Sequence, residues 1–240
     1  MRLFLFLVLT AAVAAVDVFA AQHHRQANIT LAPGYGELEF IPPAPGSYRL
    51  PALGRAADAK LLNSKGDAVT LHDLIGGKFT LLSFIYTSCS DVNGCPLASY
   101  VMSKVQDRVM ADEALKDYVR LVSFSFDPAN DTPEVLEQYA GHFRKADSDW
   151  HFVTANSAEE LNATLEAYDQ FVIREYDQEG KLLRSMSHML RVYLIDHNRD
   201  IRNIYSVSFL HPDTVVNDIR TIVGNNVAKS VAKSVAGPYQ

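Results

Sequence analysis

FTLLSFIYTSCSDVNGCPLAS, residues 79–99, is the stretch on which the fold of this chain is read. Phe79–Tyr86 is apolar on both faces, the pattern of a strand buried on both sides. From Leu97 onward the apolar residues fall at 97, 101, 102, 105, 109 and 110, which is helical spacing. Pro96 stands at or near the first helical position, where its missing N–H costs nothing. Between strand and helix lie Cys89 and Cys95, the only 2 cysteines of the 240 residues. They occupy the carboxyl end of a strand, where open α/β sheets place their sites. The positive end of a helix dipole favours a thiolate there. Three uses suit such a pair: a staple, a redox couple or metal ligands. A bridge closing so short a loop restrains the unfolded chain by about 2 kcal/mol, a weak return for a staple.

Working outward, Ala59–Leu62 and Ala68–Leu71 flank Asn63-Ser-Lys-Gly-Asp67, a hairpin signal, and Asp73–Lys78 reads as a turn. Val119–Phe126 is another strand. Thr132 and Pro133 open a helix to about His142 as cap and first residue. Trp150–Thr154 is a short strand, and Ser157 with Glu160 forms a capping box for a helix to about Tyr168. Leu190–Ile195 and Ile201–Ser206 read as an antiparallel pair joined by residues 196–200, and Pro212–Val223 as a last helix. Strands alternating with helices predict an α/β domain with a central mixed sheet covered on both faces. Asp127 and Asp131 read as structural, serving loop turns and a helix start. Asp91 suits either an Asx turn or a charge presented to a partner.

The ends read differently. Arg2 and the apolar run Leu3–Val16 precede Val18-Phe-Ala20, the pattern of a cleaved secretory signal peptide over residues 1–20. The run is shorter than the roughly 20 residues that span a bilayer, which disfavours an uncleaved anchor. An exported, periplasmic or other extracytoplasmic location follows, where disulfides persist. Residues 21–48, rich in Pro and Gly, read as an extended arm; 49–225 as the domain; 226–240 as a fraying tail. Cleavage after Ala20 would leave Ala21, Gln22 and His23 at the amino terminus. Amine, amide and imidazole nitrogens there form a set suited to Cu(II) or Ni(II), weighed against a tail with two chance histidines. The net charge of −6 argues against a nucleic-acid partner. Asn28 and Asn162 head glycosylation sequons that matter only in a glycosylating host.

Taken together, Tyr86-Thr-Ser-Cys89-Ser-Asp91 through Cys95-Pro96, the lead-in Gly77-Lys78-Phe79, the segment Asp127-Pro128 through Asp131-Thr132-Pro133, and Ser187-His188-Met189 resemble the SCO/SenC family of copper-handling proteins. The resemblance covers about residues 48–225. It implies a thioredoxin-like fold with an N-terminal β-hairpin extension, and a ligand histidine at His188. The family pattern has three residues between its cysteines; this chain has five, with Asn93-Gly94 as the insertion. That tight-turn pair either bulges outward and keeps the sulfurs close, or separates them.

On this resemblance Cys89, Cys95 and His188 would form a soft set for Cu(I), with nitrogen also allowing Cu(II); zinc accepts the same atoms. Thioredoxin-like dithiol enzymes place a cis-proline where His188 stands, and Met186–Leu190 contains no proline. Met186 and Met189 read as soft neighbours or as core filler. The other histidines, at 72, 142, 151, 197 and 211, show no ligand spacing. The implied activity is delivery of copper to, or reduction of the cysteines of, the copper-centre subunit of a respiratory oxidase or another copper-dependent exported protein. A thiol reductant would serve it. Two rivals stand beside this reading: a thiol–disulfide oxidoreductase using Cys89 and Cys95 without a metal, and a binding module with a structural disulfide.

Overall fold

The computed structural model describes residues 29–235. The leader over residues 1–20, the nitrogen set Ala21, Gln22 and His23, and residues 236–240 lie outside the described residues. In chain order come β1 (Gly54–Arg55), β2 (Lys60–Asn63), β3 (Ala68–Thr70), α1 (Leu71–Ile75), β4 (Phe79–Ile85) and α2 (Cys95–Met110). Then follow β5 (Val119–Ser125), α3 (Pro133–Ala140), β6 (Trp150–Ala155) and α4 (Ala158–Ala167). The chain continues with β7 (Val172–Tyr176), β8 (Leu182–His188), β9 (Arg191–Ile195), β10 (Asp200–Ser206) and α5 (Pro212–Val235).

Eight strands form one mixed sheet in the order β1-β10-β9-β4-β5-β6-β2-β3. Strand β4 lies inside it, parallel to β5 and antiparallel to β9, and every residue of Phe79–Ile85 is buried. Of its two polar residues, Ser83 reaches Ser123 Oγ at 3.3 Å, and the Trp150 indole donates to Ser123 at 3.1 Å, while the Thr80 hydroxyl is buried without a hydrogen-bond partner among the described residues. Helix α2 packs on β4, β5 and α5, while α3 and α4 pack on β6. This is a thioredoxin-like α/β fold with the hairpin β2–β3 at one edge of the sheet.

The sequence reading holds for the central strands and differs in instructive places. Residues 71–75 are a single helical turn, where Leu71 read as the end of the hairpin and Asp73–Lys78 as a turn, and it is capped where Thr70 Oγ1 accepts the Asp73 N–H at 3.1 Å. Only half of the predicted capping box forms. Ser157 accepts from Glu160 N–H at 3.2 Å, but the Glu160 carboxylate turns to the backbone N–H and ammonium of Lys60. Helix α5 continues past Val223 to Val235, running through Gly224, Asn225 and Asn226 despite their low helix propensity. Strands β7 and β8 form a separate two-stranded sheet where periodicity had offered no element.

Residues 31–48 lie against the domain as a strap. A 3-10 turn, Pro33–Tyr35, packs on α2. Further along, Asn217 Nδ2 donates to Pro43 O at 3.0 Å, Gly46 N–H to Thr221 Oγ1 at 3.0 Å, and the Tyr48 hydroxyl to Asp218 at 2.5 Å.

Candidate metal centre

The site begins where β4 stops. After Ile85 the Tyr86 N–H has no strand partner and donates to Cys95 Sγ at 3.4 Å. Cys95 is the first residue of α2 and is buried; Cys89 is half-buried above it. Both thiols are free. The inserted bulge leaves the two sulfurs as neighbours, each shifting the acidity of the other. Asp91 builds that bulge as an Asx turn: its Oδ1 accepts Asn93 N–H at 3.0 Å and its carbonyl accepts Gly94 N–H at 2.9 Å.

The two thiols are not equivalent. The hydrogen bond from Cys95, helped by backbone amides at Cys95 and Asp91, outweighs burial and lowers Cys89 to about 6. Cys95 moves the other way, pushed well above the ordinary thiol value by the neighbouring Cys89 sulfur and by burial. The two shifts favour ionisation of the more accessible sulfur over the buried one.

His188, the last residue of β8, lines the same cleft of about 290 Å³ as Cys89, Asp91 and Glu175. Its ring packs on Phe126 with centroids 4.6 Å apart. Burial holds its pKa below 6.5 against the opposing pull of the Phe84 carbonyl and the Asp91 charge, so the imidazole is neutral at physiological pH. Nε2 is buried and has no hydrogen-bond partner among the described residues. A buried imidazole nitrogen without a partner needs a physical account. Among the described residues no three His, Cys, Asp or Glu side chains are grouped to hold a metal; Cys89 and His188 line one cleft, and the buried Cys95 is not part of its lining. Met186 is buried, and Met189 is 58% exposed.

Two residues that the sequence reading did not single out for the site hold its halves in place. The Tyr86 hydroxyl donates to Met186 O at 3.2 Å and accepts Met186 N–H at 3.2 Å, fastening β8 to the end of β4. Asp131, read only as structural, is buried and gathers the strand-end loop. It accepts from Thr87 N–H at 3.0 Å, from the Thr87 hydroxyl at 2.5 Å and from the Ser125 hydroxyl at 2.5 Å. A buried Asp among hydroxyls at two strand ends was the available signal for it; for Tyr86 the sequence offered none beyond its place between strand and cysteine.

Comparison with known proteins agrees with the fold. The SCO1/SenC family model matches residues 55–224. The SCO1 protein homolog of Bacillus subtilis is 26% identical over 160 residues, which is 66% of this chain and 78% of the homolog. The structure of Arabidopsis thaliana ScoI with copper bound superposes with a TM-score of 0.57 at 25% identity, covering 70% of this chain and 99% of that one. BsSco, a member of the Sco family of cytochrome c oxidase assembly proteins whose study identified a disulfide switch, shares the fold. It superposes with a TM-score of 0.57 at 24% identity, over 73% of this chain and 96% of BsSco.

Proposed function

The chain belongs to the SCO1/SenC family, and on that premise we propose that it is an exported copper chaperone whose cargo is held by Cys89, Cys95 and His188. The observation that carries the reading is the buried, partnerless Nε2 of His188 in the cleft that also exposes Cys89. Two sulfurs and one imidazole are a soft donor set suited to Cu(I). Three ligands with no fourth leave the ion open to an incoming acceptor. The copper bound by Arabidopsis ScoI supports the cargo, and the Sco family's place in cytochrome c oxidase assembly supports an oxidase copper-centre subunit as recipient.

Cys89 is already largely thiolate at neutral pH and His188 neutral, so Cys95 is the ligand that must give up a proton as copper enters. Anaerobic Cu(I) titration of the reduced chain, in competition with a chromophoric chelator, tests the assignment. His188→Ala should weaken binding at least about tenfold, the loss expected when a ligand shell is disturbed. Equal affinity in the two proteins would remove His188 from the site.

A second reading shares the cysteines. The unequal acidity of Cys89 and Cys95 favours thiol–disulfide exchange, with Cys89 attacking and Cys95 resolving. On this reading the chain reduces the cysteines of its target before or instead of loading them. Exchange with a model disulfide that is unchanged in His188→Ala, together with no Cu(I) uptake by the wild type, would favour it over the chaperone.

A further inference from the structure

The insertion that lengthens the cysteine loop meets the N-terminal strap. The Tyr35 hydroxyl donates to Val92 O at 2.5 Å, and Asn93 Oδ1 accepts the Ala32 N–H at 2.8 Å. Thus two of the inserted turn's residues are gripped from one side by two residues of the strap.

The strap is itself seated on rigid elements. Ala32 and Gly34 are buried. A Cβ on Gly34 would lie 2.2 Å from the Leu210 carbonyl and 3.1 Å from side-chain carbons of Leu97 and Val101, so only glycine lets the strap descend this far between α2 and the start of α5. The Tyr35 ring lies on the Tyr100 ring of α2 at 4.9 Å, and His211 Nε2 reaches Gly36 O at 3.2 Å.

The loop has unequal flanks. On one side Gly94 caps α2 and Cys95 is fixed by the helix and by the Tyr86 N–H. On the other, Cys89 and Ser90 are half-buried and exposed. Any displacement of Val92 and Asn93 is therefore taken up on the Cys89 side. We propose that the strap is a positioning element for the dithiol, with Tyr35 and Asn93 clamping the inserted turn so that Cys89 stays against Cys95. The proposal deepens the copper-chaperone reading and rests on Cys89 and Cys95 being its working residues.

The test is equilibration of the full chain with mixtures of oxidised and reduced glutathione. Formation of the Cys89–Cys95 disulfide releases two protons and two electrons, and the electrons reduce one oxidised glutathione to two thiols. Tyr35→Phe keeps the ring on Tyr100 and removes only the hydroxyl. Asn93→Ala removes the acceptor from the other side of the same contact. Each variant should lower the equilibrium constant for disulfide formation about fivefold, the ratio set by one lost hydrogen bond. Cu(I) affinity should fall in the same order, with thermal melts showing both variants folded. Equilibrium constants within about twofold of wild type in both folded variants would overturn the clamp. A wild-type chain that takes up no Cu(I), while the variants still shift the disulfide equilibrium, would overturn the copper reading and leave the clamp intact.

Discussion

Removing the buried sulfur should change the exposed one. In Cys95→Ala the main cause of the low Cys89 value, the hydrogen bond from Cys95, is gone, while burial and the backbone amides remain. The Cys89 midpoint should then climb from about 6 most of the way to 9.0. If the whole displacement were lost, the thiolate fraction at neutral pH would fall about ninetyfold. Each thiolate would gain about twentyfold in intrinsic nucleophilicity, so the net rate at neutral pH would fall only about fourfold. The pH midpoint is thus a sharper readout than the rate at one pH. The assay is the first exchange step with a small disulfide reagent, followed through the released reagent thiol across the acidic to mildly alkaline range. A midpoint near the ordinary thiol value in the wild type, or the same midpoint in both proteins, would refute the account of the site's electrostatics.

Other perturbations probe the supports around the sulfurs. Tyr86→Phe leaves the Met186 N–H and carbonyl without their shared partner. It should cost about 1–3 kcal/mol in denaturant unfolding and accelerate exchange of the Met186 amide. Asp131→Asn presents one acceptor oxygen to donors that now share two. A loss of about 2 kcal/mol in unfolding free energy is expected, and no loss would show that the strand-end loop does not depend on it. Far from the cleft, Asp149 joins Lys78, Arg120 and His151. Burial alone would raise its carboxyl, but hydrogen bonds from His151, Arg120 and Lys78 hold it well below 3.8. The unfolded chain thus takes up that proton first as pH falls. The contribution is complete above 3.8 and drains away as pH drops through the lower folded value. Wild type should exceed Asp149→Asn by about 2–3 kcal/mol at neutral pH, with the gap closing on acidification; a gap independent of pH in denaturant melts would count against this.

What was legible in the sequence follows from where information is local. β4 announces itself because a strand buried on both faces needs apolar residues throughout. α2 and α3 are marked by Pro96 and Thr132-Pro133, and Thr132 does accept the Val135 N–H at 3.4 Å. The β7–β8 hairpin was hidden because both strands are largely solvent-facing, with Ile173, Tyr176 and Leu182 exposed, so no buried period exists to read. Its turn, with Gly180 at φ 78° and Asp177 accepting from Glu179 and Lys181, was the signal available. Tyr86 and Asp131 act across 100 and 6 or 44 positions, and such pairings have no one-dimensional trace. The strap's seat was hidden for the same reason. Pro and Gly in residues 31–48 mark irregular chain, not whether that chain is docked.

The unequal sulfurs also bear on why copper delivery and disulfide exchange are hard to separate for such a site. Both begin from a Cys89 thiolate that rests on a protonated Cys95, and both end with the Cys95 proton gone. The difference lies in what meets Cys89 first. A disulfide presents a sulfur that Cys89 can attack alone, with Cys95 following, and this route asks nothing of His188. A soft cation gains from a third donor, and the His188 imidazole lining the cleft is the one feature of the three that disulfide exchange leaves without a use. Burying its Nε2 without a partner carries a cost, which a ligand arriving from outside would offset. On these grounds the proposed copper role accounts for more of the site than exchange alone does, while exchange keeps both thiols in the reduced state that receiving copper requires.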